Sequence, residues 1–78
     1  MFSVSIFDVK TATSIYKEMA SSVVLPGEDG ELTILDFHEA IISCLKQGLI
    51  KADNAPIVKI NRGIAKIHGS DLYIMVDR

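Results

Sequence analysis

The segment "DFHEAIISCLKQG", residues 36 to 48, decides the fold, because it fits two incompatible structures. Asp36 can cap a helix, Glu39 stands three residues on, and Phe37, Ala40, Ile41, Cys44 and Leu45 share one helical face. Gly48 falls where such a helix would stop. The six residues "AIISCL" equally suit a buried strand, and an apolar run this short is ambiguous by periodicity. Local signals taken alone favour the helix.

Outward from this segment, the chain reads as strands. "FSVSI" alternates, with Phe2, Val4 and Ile6 on one side and Ser3 and Ser5 on the other. "SSVVL" is a β-branched run closed by Pro26-Gly27, and "ELTIL" follows Gly30. "GLIKA", "IVKI", "IAKI" and "LYIMV" are rich in Ile, Val or Leu, and turn residues separate them. Asp53-Asn54, Asn61-Arg62-Gly63 and His68-Gly69-Ser70-Asp71 supply the punctuation, with Gly69-Ser70 suited to a tight primed turn. Turn signals at such spacing imply a β-sandwich or barrel. Residues 1 to 78 read as one domain without internal repeat or linker.

Composition narrows the function. A chain of 78 residues hides only about 60% of its unfolded surface, yet 49% apolar residues argue for a real core. Eight basic and ten acidic residues give a net charge of −2 without a block of either sign, which argues against nucleic acid. No basic amphipathic segment or long apolar run suggests insertion into a membrane, and "MFSVSIFDVK" has no signal-peptide pattern. The single cysteine, Cys44, fits a reducing compartment, and its aliphatic neighbours predict a buried hydrophobe.

Sites of chemistry are sparse. His38, Cys44 and His68 are too few and too scattered for structural zinc. "GEDGE" is an acidic loop that would repel a phosphate, so neither a nucleotide nor another cofactor is expected. No acid pair or activated nucleophile marks an enzyme. Gly27 and Gly30 allow a tight turn and a close approach of backbone to another surface. Taken by themselves, Glu31 reads as a solvated acid, His38 as a cap or packing residue, and Glu28 and Asp29 as a loop tip.

The order of residues over 25 to 52 resembles the amino-terminal domain of the epsilon subunit of rotary F-type ATP synthases, called delta in mitochondria. Pro26-Gly27, Gly30-Glu31-Leu32, Ile34-Leu35, His38, Ala40, Leu45 and Gly48 fall in that family's register. Gly63 and Asp77 keep their places in a later motif, so the likeness covers nearly the whole chain. Around the histidine, Asp36-Phe37 replaces Pro-Gly and Glu39-Ala40 replaces Ala-Pro, and in the later motif Arg62 replaces the first of two glycines.

The resemblance implies an all-β fold, a flattened β-sandwich of about ten short strands, and it makes the segment after His38 a strand. It also implies a non-catalytic stalk subunit that couples a membrane ring to a gamma shaft during ion-driven ATP synthesis. Gly30, Glu31 and His38 then belong to the contact with the polar loops of the ring. Ile42, Leu45, Tyr73 and Met75 are candidates for the contact with the gamma subunit. The implied location is peripheral, on the cytoplasmic face of a bacterial inner membrane or the stromal face of a thylakoid. The family's carboxy-terminal helical hairpin, which binds ATP in some members, is absent from these 78 residues. The rival reading is a free-standing small β-sandwich that binds a ligand or peptide.

Overall fold

The computed structural model describes residues 1–35 and 40–78. Nine strands account for nearly all of them: β1 (Phe2–Asp8), β2 (Thr13–Ala20), β3 (Ser22–Gly27), β4 (Gly30–Leu35), β5 (Ile41–Leu45), β6 (Gly48–Ala52), β7 (Ala55–Ile60), β8 (Arg62–His68) and β9 (Asp71–Asp77). They run β2-β1-β9-β8-β5-β3-β6-β7 in one hydrogen-bonded sheet, with β4 paired to β3 off that path. The molecule measures 30 × 26 × 22 Å, and 22 Å is too thick for a single layer. The sheet therefore folds over on itself as a sandwich, and the inward side chains of its two halves form one core.

The alternation in the sequence sets which face turns inward. Phe2, Val4 and Ile6 are buried, as are Leu72, Ile74 and Val76 on the neighbouring β9. β1 and β9 pair in parallel, Val4 opposite Leu72 and Ile6 opposite Ile74, so the first and last strands lie side by side in the sheet interior. Val23, Leu25, Ile34, Ile50 and Ile60 supply the core from the other half. Each such side chain taken fully out of water contributes about 1.5–3 kcal/mol.

Two tight hairpins follow the punctuation. Asp53 and Asn54 both take positive φ, 49° and 66°, as a two-residue type I′ loop requires. At Gly69-Ser70 only the glycine does, with φ 62°, which is the requirement of a type II′ loop.

The structure corrects the local reading of residues 36 to 48. Ile41–Leu45 is a strand, paired antiparallel with β8 from Ile41 opposite Ile67 to Leu45 opposite Gly63. A helix would have placed Cys44 and Leu45 on one face. The two-residue period of the strand sends them to opposite faces instead, and Leu45 is buried while Cys44 is exposed. The expectation of a buried cysteine is thereby overturned. Residues 36–39, including the proposed cap Asp36 and His38, lie outside the described residues. The described residues form nine strands rather than about ten.

β2 has no counterpart among the strands read from the sequence. The turn before it contains no Gly, Pro or Asn. The Asp8 carboxylate builds that turn by accepting from the backbone N–H groups of Lys10 and Thr11, and Ala12 takes φ 55°. β2 lies at the end of the sheet path, and most of its residues are exposed, so it shows no apolar alternation.

Candidate functional site

The β3–β4 hairpin turns between Gly27 and Gly30, which face each other across the ladder, with Glu28 and Asp29 at its tip. Gly30 has φ 134°, a region that side-chain-bearing residues avoid. A Cβ on Gly27 would stand 2.7 Å from the carbonyl oxygen of Gly30. Both glycines are thus required by the turn itself. The hairpin is stapled to β5 and to the segment after it: the Glu28 amide donates to the carbonyl of Cys44 at 3.1 Å, and the Lys46 amide to that of Pro26 at 2.8 Å. The acidic tip is consequently a fixed projection.

Glu31 lies opposite Pro26 and is exposed. Among the described residues it has no ion-pair or hydrogen-bond partner, which leaves its oxygens available to an external donor. Gly30, Glu31 and Ile42 line one surface cleft of about 440 Å³, with Ser43 and Cys44 on its β5 side. The structure thus brings together two residues expected at the ring contact and one expected at the shaft contact.

The outward side chains of the β1-β9-β8-β5 half form an in-register row. Phe7 faces Met75, Met75 faces Ile64, and Ile64 faces Cys44. Phe7, Ile64 and Met75 are 39%, 40% and 50% exposed and stand next to one another in mid-sheet. A second row, Ser5, Tyr73, Lys66 and Ile42, runs alongside. Ile64, Met75 and Cys44 also line an open apolar groove of about 400 Å³ that reaches Val9. Of the four candidates for a shaft contact, Ile42, Tyr73 and Met75 are exposed on this face. Leu45 is 3% exposed and packs in the core, and it reaches the surface only as part of the lining of that groove.

Sequence reasoning missed Phe7, Ile64 and Cys44 as surface residues. A signal was present for the first two, since each stands apolar on the phase that Ser3, Ser5 and Lys66 mark as outward. What joins them into a row is the parallel register of β1 and β9, which local patterns do not encode.

Charges gather where the row ends. The Arg78 guanidinium donates from Nε to Asp8 at 2.7 Å, and Asp77 sits 3.1 Å from the Lys10 ammonium and 3.3 Å from Arg62. The Arg78 hydrogen bond holds the Asp8 carboxyl below its ordinary value, helped by the Thr11 and Lys10 amides and opposed by burial. Among the described residues, no group of three or more His, Cys, Asp or Glu could hold a metal ion.

Comparison with known proteins places this geometry in a family. Residues 2–78 match the family model described as "ATP synthase, Delta/Epsilon chain, beta-sandwich domain". The ATP synthase epsilon chain of Campylobacter curvus is 43% identical over 67 residues, covering 81% of this chain and 52% of that protein. The epsilon chain of Helicobacter hepaticus is 37% identical over 68 residues, covering 82% and 52%. The chain thus spans about half the length of these relatives. A chain in the cryo-EM structure of the Tetrahymena thermophila mitochondrial ATP synthase, central stalk and c-ring, shares the fold with a TM-score of 0.75 at 15% identity. That alignment covers 97% of this chain and 63% of the other.

Proposed function

The chain belongs to the family of ATP synthase delta/epsilon chain β-sandwich domains, and on that premise we propose that residues 1–78 act as one non-catalytic unit of a rotor stalk. In this reading the unit couples the membrane ring of an F-type ATP synthase to its gamma shaft during ion-driven ATP synthesis, with no cofactor of its own. It sits peripherally at the membrane, on the cytoplasmic face in a bacterium. The relatives' description as epsilon chains supports the assignment, as does the central-stalk assembly that holds the structural neighbour.

The observation that carries it is the exposed row Phe7–Met75–Ile64–Cys44. An apolar strip across four paired strands is costly to leave in water, and it suits a partner that lays a long apolar ridge across the sheet. A gamma-type helical shaft is such a partner, with Ile42, Tyr73 and Met75 in the contact. Gly30 and Glu31 face the ring on the stapled hairpin, and Glu31 accepts from a basic or polar loop group. His38, which matches the family's histidine in sequence, lies outside the described residues.

Co-expression with a gamma-type subunit followed by size-exclusion chromatography tests the reading. A one-to-one complex is expected, and Ile64→Asp with Met75→Asp should weaken it by about 2 kcal/mol or more, roughly thirtyfold. A chain that stays monomeric beside gamma, while a small apolar ligand fills the groove at Ile64 and Met75, would overturn it in favour of a ligand-binding module.

A further inference from the structure

The acidic hairpin has a basic counterpart across a cleft. Glu31, Lys46 and Lys51 line a surface depression of about 480 Å³ together with Pro26, Gly48 and Leu49. Three features make it more than a chance meeting of surface charges. Among the described residues none of the three charged groups has an ion-pair partner, although acid and ammonium groups border the same depression. Leu49, beside them, is 45% exposed although it lies in a paired strand. The walls are fixed: Lys46 donates its amide to Pro26, Gly48 approaches Pro26 so closely that a Cβ would meet its ring at 2.7 Å, and Val24 pairs with Lys51.

We infer that this depression is a two-signed clamp for a protein loop, built on the ring-contact reading of Glu31 given above. Glu31 takes a cationic or amide donor of the loop, Lys46 and Lys51 take a carboxylate or carbonyl oxygen of the same loop, and Leu49 packs on an apolar residue between them. Opposite charges on the two walls fix the orientation of the loop, so the contact sets register as well as attraction. An anionic lipid surface is the poorer occupant. Glu28, Asp29 and Glu31 all project from the hairpin that forms one wall, and they would be repelled by it.

The test measures how the complex of this chain with a gamma-type subunit binds the purified rotor ring in detergent. Variants are E31K, K46E, K51E and the double K46E/K51E, each with its thermal melt recorded to verify folding. The clamp requires substitutions of opposite charge sign to act in the same direction. E31K, K46E and K51E should each weaken ring binding about three- to fivefold, and the double variant about tenfold, with the differences shrinking at high salt. Neutral Lys46→Gln should fall between wild type and K46E.

If the lysine variants bind the ring unchanged or more tightly while E31K weakens it, the clamp is wrong and the Glu31 contact survives. If E31K leaves binding unchanged, the ring-contact reading fails and takes the clamp with it. Sedimentation with vesicles of equal parts phosphatidylglycerol and phosphatidylcholine forms the second arm. Lysine-dependent binding there, without lysine-dependent ring binding, would overturn the proposal in favour of a lipid headgroup.

Discussion

Asp8 shows how a single residue organises its surroundings. Asp8 is 3% exposed; its carboxylate closes the turn into β2 through the amides of Lys10 and Thr11 and receives Arg78 from the other end of the chain. Because these donors favour the charged form, its pKa in the fold lies below the ordinary 3.8. A depressed carboxyl stabilises the fold above the unfolded value and loses that contribution as pH falls through the folded one. Asp8→Asn is therefore expected to melt several degrees below the wild type near neutral pH. The gap should close only under acid conditions below pH 3.8, as thermal melts across a pH series would show. Gly30 gives a second prediction: with φ 134°, Gly30→Ala should cost about 1–3 kcal/mol in urea unfolding although its Cβ would meet no neighbour. The sequence disclosed the demand at Gly30, since glycines flanking an acidic tip announce a turn. It concealed Asp8, whose role depends on a residue seventy positions away.

At the scale of elements, β5 and β2 show where local patterns end. Residues 41 to 45 carry signals for both helix and strand, and pairing with β8 settles the competition, because it adds a ladder that an isolated segment lacks. The family resemblance anticipated this; the residues themselves did not. β2 escaped notice for the opposite reason: an edge strand with little buried surface needs no apolar alternation, and its turn is made by a side chain and an alanine. The strands with strict alternation, β1 and β9, were readable because each buries one full face. The orientation of β5 has a direct chemical readout. Cys44 points outward, so an aromatic disulfide reagent should modify it in the native chain at a rate within about tenfold of that in denaturant. Binding of a gamma-type subunit over the Phe7–Ile64 row should slow the reaction strongly. A thiol that reacts only on unfolding would return β5 to the opposite register.

For the whole molecule, stability rests on the inward rows of β1 and β9 meeting those of β3, β4, β6 and β7 from the other half of the sheet. Ile74, 1% exposed and opposite Ile6, lies at the centre of that arrangement. Ile74→Ala should cost about 2–5 kcal/mol in equilibrium unfolding, a large share of what so short a chain possesses. Conservative Ile74→Val should cost about 0.5–1.5 kcal/mol. The general architecture followed from alternation and turn spacing, whereas the two candidate contact surfaces depended on register. Glu31 and Lys51 stand on different hairpins, as do Phe7 and Ile64, and only the completed sheet brings each pair onto one surface.

The parallel pairing of β1 with β9 has a mechanical corollary. Because these strands run the same way, the amino terminus leaves one end of the pair and the carboxy terminus leaves the other. Tension drawn between the two termini slides β1 lengthwise against β9, so the whole zip of hydrogen bonds from Ser3 to Asp8 shares the strain simultaneously. A hairpin such as β6–β7, opened from its free ends, gives way one rung after another. The fold is thus tough along one axis and yielding across it.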